Sequence, residues 1–272
     1  MKILYLSDLD GTLLRPNERL SEYTMTIINR FIQNGGCFSY ATARSIVTAS
    51  KVTVGLNRRF PAICNGGAFI IENTTNEILL SNYFSPDEVE TASDIFRIHE
   101  IYPFVHTYID GKERFSYIER YVTSAMQHYL NNRIGDPRRR VVEGVDELYH
   151  GHVFNFACMD TDAILSPIAR IFASDDRFSC IYQKEIYSGD QWCEILPVNA
   201  TKANAALQLK SMLGCDRMVV FGDGRNDLSL FSVANESYAM ANAVPELKEI
   251  ATAVIDSNDQ DGVAKWMEKR AF

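Results

Sequence analysis

Apolar residues fall along this chain in two rhythms. Short continuous runs, at Ile3 to Leu6, Cys37 to Ala41, Ala62 to Cys64, Met218 to Phe221, Tyr238 to Met240 and Ala253 to Ile255, alternate with longer mixed stretches. Those stretches, Ser21 to Asn34, Ser45 to Leu56, Ala203 to Leu213, Asp227 to Val233 and Pro245 to Ile250, read as helices. Brief apolar runs bounded by turn residues are buried strands, and strands separated by helices build a parallel sheet. The first helix has a start at Ser21 and a stop at Asn34-Gly35-Gly36, where glycine suits the left-handed cap position. The runs Ala68 to Ile71 and Glu77 to Leu80 flank Asn73-Thr74-Thr75-Asn76, which predicts a hairpin.

From about Ser85 the rhythm changes. A helix from Pro86 to His99 precedes two extended runs, Phe104 to Ile109 and Glu113 to Ile118, that meet at the hairpin signal Asp110-Gly111-Lys112. A strand from His152 to Met159, a helix from Thr161 to Ala173 and strands at Phe178 to Tyr182 and Gln191 to Leu196 follow. This is an α+β module, and the βα rhythm resumes only at Lys202. The predicted fold is therefore α/β, a doubly wound parallel sheet core over 1–83 and 192–272, with an inserted α+β domain over 84–191.

The chain has 272 residues, 46% of them hydrophobic, so a sizeable core is expected. It carries no apolar stretch long enough to span a membrane, and Met1-Lys2 leads straight into the first strand without a signal-peptide segment. Cytoplasmic residence and a monomer are the expectations, with no membrane partner. A net charge of -8 argues against a nucleic-acid partner, because phosphate backbones are bound by clustered Lys and Arg. Asp136-Pro137-Arg138-Arg139-Arg140 is the local exception and reads as a solvated loop. The six cysteines lie in apolar surroundings without a C-x-x-C pair, which predicts reduced core residues. His150 and His152 have no Cys, Asp or Glu pattern around them that would make a metal site.

Candidate chemistry begins at the tip of the first strand, where Asp8-Leu9-Asp10-Gly11-Thr12 follows Ile3 to Leu6. Side chains alternate along an extended backbone, so Asp8 and Asp10 emerge on one side and Leu9 on the other. Close carboxylates repel unless a cation or proton lies between them, and oxygen-only ligands favour a hard ion such as Mg²⁺. Paired aspartates also cap strand ends, and that reading stands beside the first. A second acidic group, Gly222-Asp223-Gly224-Arg225-Asn226-Asp227, follows the run Met218 to Phe221. Parallel strands present their carboxyl ends on one edge, so Asp223 and Asp227 are expected to complete an oxygen shell begun by Asp8. A plain turn rich in glycine and asparagine is the alternative there.

Asp8 to Thr12, Ala41-Thr42-Ala43-Arg44, Asn65-Gly66-Gly67-Ala68, Lys202 and Gly222 to Asp227 occur in that order, with Met240-Ala241-Asn242-Ala243 and Ser257 to Val263 behind them. Through these motifs the chain resembles the haloacid dehalogenase superfamily of phosphohydrolases, and within it the Cof-type phosphatases with a large α/β cap of the C2B type, over essentially its whole length. The resemblance implies a Rossmann-like core whose inserted domain is a specificity cap. It implies that Asp8 attacks phosphorus to form an aspartyl-phosphate and that Asp10 serves as acid and base. Thr42 would offer its hydroxyl and amide N–H to phosphate oxygens, and Lys202 its ammonium to charge building up in the transition state. Alone, Thr42 reads as a helix cap and Lys202 as a solvated lysine. The implied cofactor is Mg²⁺, held by Asp8, Asp10 through its backbone carbonyl, Asp223, Asn226 and Asp227.

Two alanines, Ala43 and Ala203, stand where the family commonly has glycine, and Asn199 is expected to adopt the left-handed conformation in a turn lacking glycine. None of these departures removes a ligand or an acid. Arg44 and Asn65 are expected near the leaving group, with salt-bridge and turn roles as their alternatives, and Glu194 is expected to reach substrate from the cap's last strand. Substrate choice is placed in Phe104 to Ile118 and His152 to Tyr187. The implied activity is Mg²⁺-dependent hydrolysis of a small phosphorylated metabolite, a sugar phosphate first. A phosphotransferase or phosphomutase, or a catalytically silent regulatory binding protein, are the competing readings.

Overall fold

The computed structural model describes residues 1–184 and 190–271. Tyr187, the end of one expected cap stretch, lies outside the described residues. The chain forms two compact units, one from Met1–Ser81 together with the chain from Ala200 onward, the other from Asn82–Asn199.

The first segment supplies β1 (Ile3–Ser7), α1 (Glu22–Gln33), β2 (Cys37–Tyr40), α2 (Ile46–Val52), β3 (Ala62–Cys64), β4 (Phe69–Ile71) and β5 (Ile78–Ser81). The insertion supplies α3 (Pro86–Ile98), β6 (Phe104–Ile109), β7 (Lys112–Tyr117), α4 (Ser124–Asn131), β8 (Arg139–Val141) and α5 (Val145–Leu148). It continues with β9 (His152–Asp160), α6 (Asp162–Ala173), β10 (Phe178–Lys184) and β11 (Gln191–Pro197). The last segment supplies α7 (Lys202–Met212), β12 (Arg217–Gly222), α8 (Leu228–Val233), β13 (Glu236–Met240), α9 (Pro245–Ile250), β14 (Ala253–Ile255) and α10 (Gly262–Arg270).

In the first unit the parallel sheet runs in the order β14-β13-β12-β1-β2. Its central strands β1 and β12 are mostly apolar, and Leu4, Leu6, Val220 and Phe221 are fully buried. That is the pattern of a sheet covered on both faces. The strand order reverses between β1 and β12, which pair in register from Ile3↔Arg217 to Ser7↔Phe221. Such a reversal opens a crevice at the carboxyl ends of the two strands, the place where ligands bind in open α/β sheets. The expected strand Ala62 to Cys64 exists but takes a different partner. It heads a three-stranded antiparallel sheet, β3-β4-β5, joined to the parallel sheet through a single bridge, Ala41↔Ile63.

The second unit is a six-stranded sheet, β10-β11-β9-β6-β7-β8, and its strand alternation feeds two cores. Val105, Phe156 and Cys158 face a cluster with Phe96 of α3 and Phe172 of α6. The intervening Phe104, Ala157 and Met159 face another with Met126 and Leu130 of α4. Asp110 and Gly111, both at positive φ (49° and 73°), close the β6–β7 hairpin as expected. The return to the core, expected at 192, falls inside β11, which is hydrogen-bonded to both β10 and β9, so the strand cannot leave this unit before Asn199. Asn199 is also not left-handed. The run Asp136–Arg140 is no solvated loop: Arg138 is buried against Asp136 (2.6 Å) and Glu113 (3.1 Å), and Arg139 and Arg140 begin β8, parallel to β7. All six cysteines are free. No described helix is long and apolar enough to cross a membrane.

Candidate active site

Pairing of β1 with both neighbours carries the chain to the sheet edge: Asp8 N–H donates to Phe221 O and Ala41 N–H to Ser7 O, each at 2.9 Å. Beyond β1 the backbone turns at Gly11, whose φ is 72°. A Cβ there would run into the Asp223 carboxylate, so glycine allows the two strand ends to close on each other. Thr12 Oγ1 donates to Asp223 Oδ1 at 2.8 Å, tying the two motifs together. Asn242 Nδ2 donates to Gly11 O at 2.8 Å, and Asn258 Nδ2 to Leu14 O at 2.8 Å, so both late motifs grip the same loop.

Lys202 starts α7, the end of a helix where the dipole disfavours a cation. Two carboxylates hold it there: its buried Nζ donates to Asp8 Oδ1 at 2.6 Å and to Asp227 Oδ1 at 2.7 Å. Burial alone would lower the ammonium's pKa, but Asp227 and Asp8 outweigh it and hold the group above the ordinary lysine range. Gly67 explains how α7 comes so near. It sits at φ 110°, and a Cβ would strike the Thr201 backbone just before Lys202. Asp227, fully buried, accepts from the amides of Asp223 (3.0 Å) and Gly224 (3.1 Å) through its other oxygen.

Asp8, Asp223 and Asp227 each place a carboxylate oxygen within 4.8 Å of the others. Burial pushes Asp8 well up from the usual carboxylate range, Lys202 opposes that, and Asp227 and Asp223 add to it. Asp223 is likewise pushed up, to about 6, by burial first and by Asp227 and Asp10 after it, against the Thr12 hydrogen bond. Three carboxylates against one ammonium leave two negative charges, which a divalent cation with oxygen preference cancels. The residues present fit Mg²⁺.

The expected residues thus divide. Asp8, Lys202, Asp223 and Asp227 come together. Asp10 lies close by in sequence, but its carboxylate is taken by Arg44, whose Nε and Nη2 donate to Oδ2 (2.7 Å) and Oδ1 (2.5 Å). Asn226 is exposed in the turn Arg225–Asp227. Thr42 is buried at the end of β2, but its amide N–H is spent on Ile63 O at 2.9 Å, so only the hydroxyl remains for a ligand. Nor is it the cap of α2, a place held by Ser45. Asn65, at φ 51°, donates its N–H to Arg44 O at 2.9 Å and shapes the turn. Glu194 belongs to the second unit, on β11, where burial raises its carboxyl pKa and Asn155 Nδ2 donates to it at 3.1 Å. Thr12, Glu18 and Asn242 were not singled out by sequence as site contacts. Their partners lie too far along the chain for spacing to reveal, although Thr12 and Asn242 stand inside the motifs themselves.

A model of the family described as haloacid dehalogenase-like hydrolase matches residues 5–267. Among curated proteins, 5-amino-6-(5-phospho-D-ribitylamino)uracil phosphatase YitU of Bacillus subtilis is 25% identical over 266 residues, 96% of this chain and 95% of that protein. Among solved structures, TM0651 from Thermotoga maritima superposes with a TM-score of 0.79 at 23% identity, covering 99% of this chain and 97% of the other. The subclass IIB sugar phosphatase BT4131 superposes with a TM-score of 0.75 at 17% identity, over 100% and 99% of the two chains. At these identities the structural likenesses show the fold.

Proposed function

The chain belongs to the haloacid dehalogenase-like hydrolases, and from that footing we propose that it is a Mg²⁺-dependent phosphatase of a small phosphorylated metabolite, a sugar phosphate first. The observation that carries the reading is the ion pair of Lys202 with Asp8 and Asp227, set beside Asp223 at the reversal of strand order. Phosphatase names among the relatives, one for a phosphorylated ribityl compound and one for sugars, support the substrate class.

In this reading Asp8, Asp223 and Asp227 would hold Mg²⁺, with Asn226 and the Asp10 carbonyl beside them. The ion, when bound, supplies positive charge against the phosphoryl oxygens. The chain's own residues do the rest. Lys202 works against the burial that raises the Asp8 pKa and orients its carboxylate, so that an oxygen is presented to phosphorus. A bond from Asp8 to phosphorus forms as the bond to the leaving oxygen breaks, and Asp10 gives that oxygen its proton. Asp10 then takes a proton from the water that cleaves the aspartyl-phosphate, which restores Asp8 and releases phosphate. The Thr42 hydroxyl donates to a phosphoryl oxygen, and Lys202 offsets the charge that builds up during transfer. The second unit, residues 82–199, is assigned the choice of leaving group, with Glu194 among its candidates.

A phosphate-release screen over phosphorylated sugars and nucleotides, with and without Mg²⁺, tests this. Release that requires Mg²⁺ and vanishes in Asp8→Asn, with the fold intact by circular dichroism, is expected. Isomer formation without free phosphate would make the protein a phosphomutase. A folded, Mg²⁺-loaded protein inert toward every ester, a generic aryl phosphate included, would sink the enzymatic reading.

A further inference from the structure

Asp10 is two residues from Asp8, yet its carboxylate stands outside the trio of Asp8, Asp223 and Asp227. It is half exposed, so packing does not hold it away. What holds it is Arg44, through the two-pronged contact of Nε and Nη2 on Oδ2 and Oδ1. Such a fork fixes a carboxylate's plane as well as its position, which a single ammonium cannot do.

The fork itself is braced on both sides. At its base, Arg44 N–H donates to Thr42 Oγ1 at 3.0 Å and Arg44 O accepts from Asn65 N–H at 2.9 Å. At its tip, Nη2 also donates to Glu18 Oε2 at 2.8 Å. Glu18 is held there by its own backbone, left-handed at φ 57° in a turn where its N–H donates to Arg15 O at 2.9 Å. A non-glycine residue in that conformation carries a cost of about 1 kcal/mol, which makes the placement informative. Meanwhile Asp10 stays near enough for its charge to act on Asp223. The next residue, Gly11, comes so close to Asp223 that a Cβ there would meet its carboxylate, so Asp10 stands one residue from the cluster.

We infer that Arg44, braced by Glu18, is a positioning residue that keeps the Asp10 carboxylate out of the coordination shell of the cation. This rests on the reading above, in which Asp8, Asp223 and Asp227 hold Mg²⁺. A fourth carboxylate on the ion would tighten its binding and bind up the group meant to move protons. Arg44 therefore trades cation affinity for turnover.

The test is Mg²⁺ binding by titration calorimetry, without substrate, on the full chain. Arg44→Lys keeps the positive charge and loses the fork, and Arg44→Met removes both while keeping the apolar stem. Both are expected to bind Mg²⁺ more tightly than wild type, Arg44→Lys by about tenfold, the scale of one added close charge contact, while kcat falls. Mn²⁺ bound to Arg44→Lys should carry one fewer water by proton relaxation. Asp10→Asn/Arg44→Lys should bind no more tightly than Asp10→Asn. Equal or weaker binding by both arginine variants would overturn the inference, as would an equal gain in the Asp10→Asn background. Those outcomes leave the proposed function standing. A wild-type protein that binds no Mg²⁺ at about 10 mM would instead remove the reading beneath it.

Discussion

An ammonium almost out of contact with water, at the positive end of a helix, persists because Asp8 and Asp227 lie 2.6 and 2.7 Å away. Lys202→Met would leave three clustered carboxylates without a counter-charge, and breaking a buried pair in this way costs about 3–5 kcal/mol. The expected outcome is a kcat lower by about a thousandfold or more. In chelator, the urea midpoint should fall markedly, and saturating Mg²⁺ should recover part of it, because an ion held by Asp8, Asp223 and Asp227, as proposed, would bind the folded state alone. A variant as stable as wild type in chelator would show that those carboxylates share protons. At this scale, Asp8, Asp223, Asp227 and Lys202 were legible because each stands beside an apolar run or inside an ordered motif. Thr12 on Asp223 and Glu18 on Arg44 were not, since a hydrogen bond closed by folding leaves no periodicity behind.

Among the elements, the strands of the parallel sheet are legible because burial on both faces of its centre leaves short, mostly apolar runs there. β8 escaped because its residues, Arg139-Arg140-Val141, are largely charged, and their heads are satisfied by Tyr117 Oη (2.6 Å) and Ser116 Oγ (3.0 Å). α4 and α10 escaped as well: one is short, and the other is mostly polar outside Val263, Ala264 and Met267. Two glycine substitutions separate turn strain from site geometry. Gly111→Ala, with open space around it at φ 73°, should lose about 1 kcal/mol of stability and leave kcat unchanged. Gly67→Ala adds a clash with the Thr201 backbone, so a loss of about 2–4 kcal/mol is expected, together with a lower kcat as Lys202 is displaced. Denaturant melts and steady-state rates on both variants check this, and equal kcat values would show that Gly67 serves the turn alone.

Across the whole molecule, each unit builds its sheets from its own residues, and the insertion packs both faces of its sheet against separate cores. The insertion also carries its own pH response. His106, on β6, has its pKa lowered to about 3 by burial first, then by Arg138 and Arg133, with Asp136 opposing. An unfolded chain protonates this ring near its ordinary value of 6.5, while the folded protein does not until about 3. The contribution is therefore whole above that upper limit and is lost as the pH falls toward the lower one. Allowing for the ring's remaining contact with water, about 1–2 kcal/mol should be lost by about pH 4.5, and His106→Phe should flatten this part of the acid-unfolding curve. An unchanged slope would mean that the imidazole takes its proton inside the fold. Residues 82–199 expressed alone should show a cooperative thermal transition and dispersed amide spectra; a molten fragment would show that the sheet depends on the parent chain. The chain begins and ends this stretch at one corner, where Phe84 packs on Phe178 and Phe178 pairs with Pro197. With both ends of the segment meeting at one corner, the whole of it can be replaced as a single piece while the host strands keep their order.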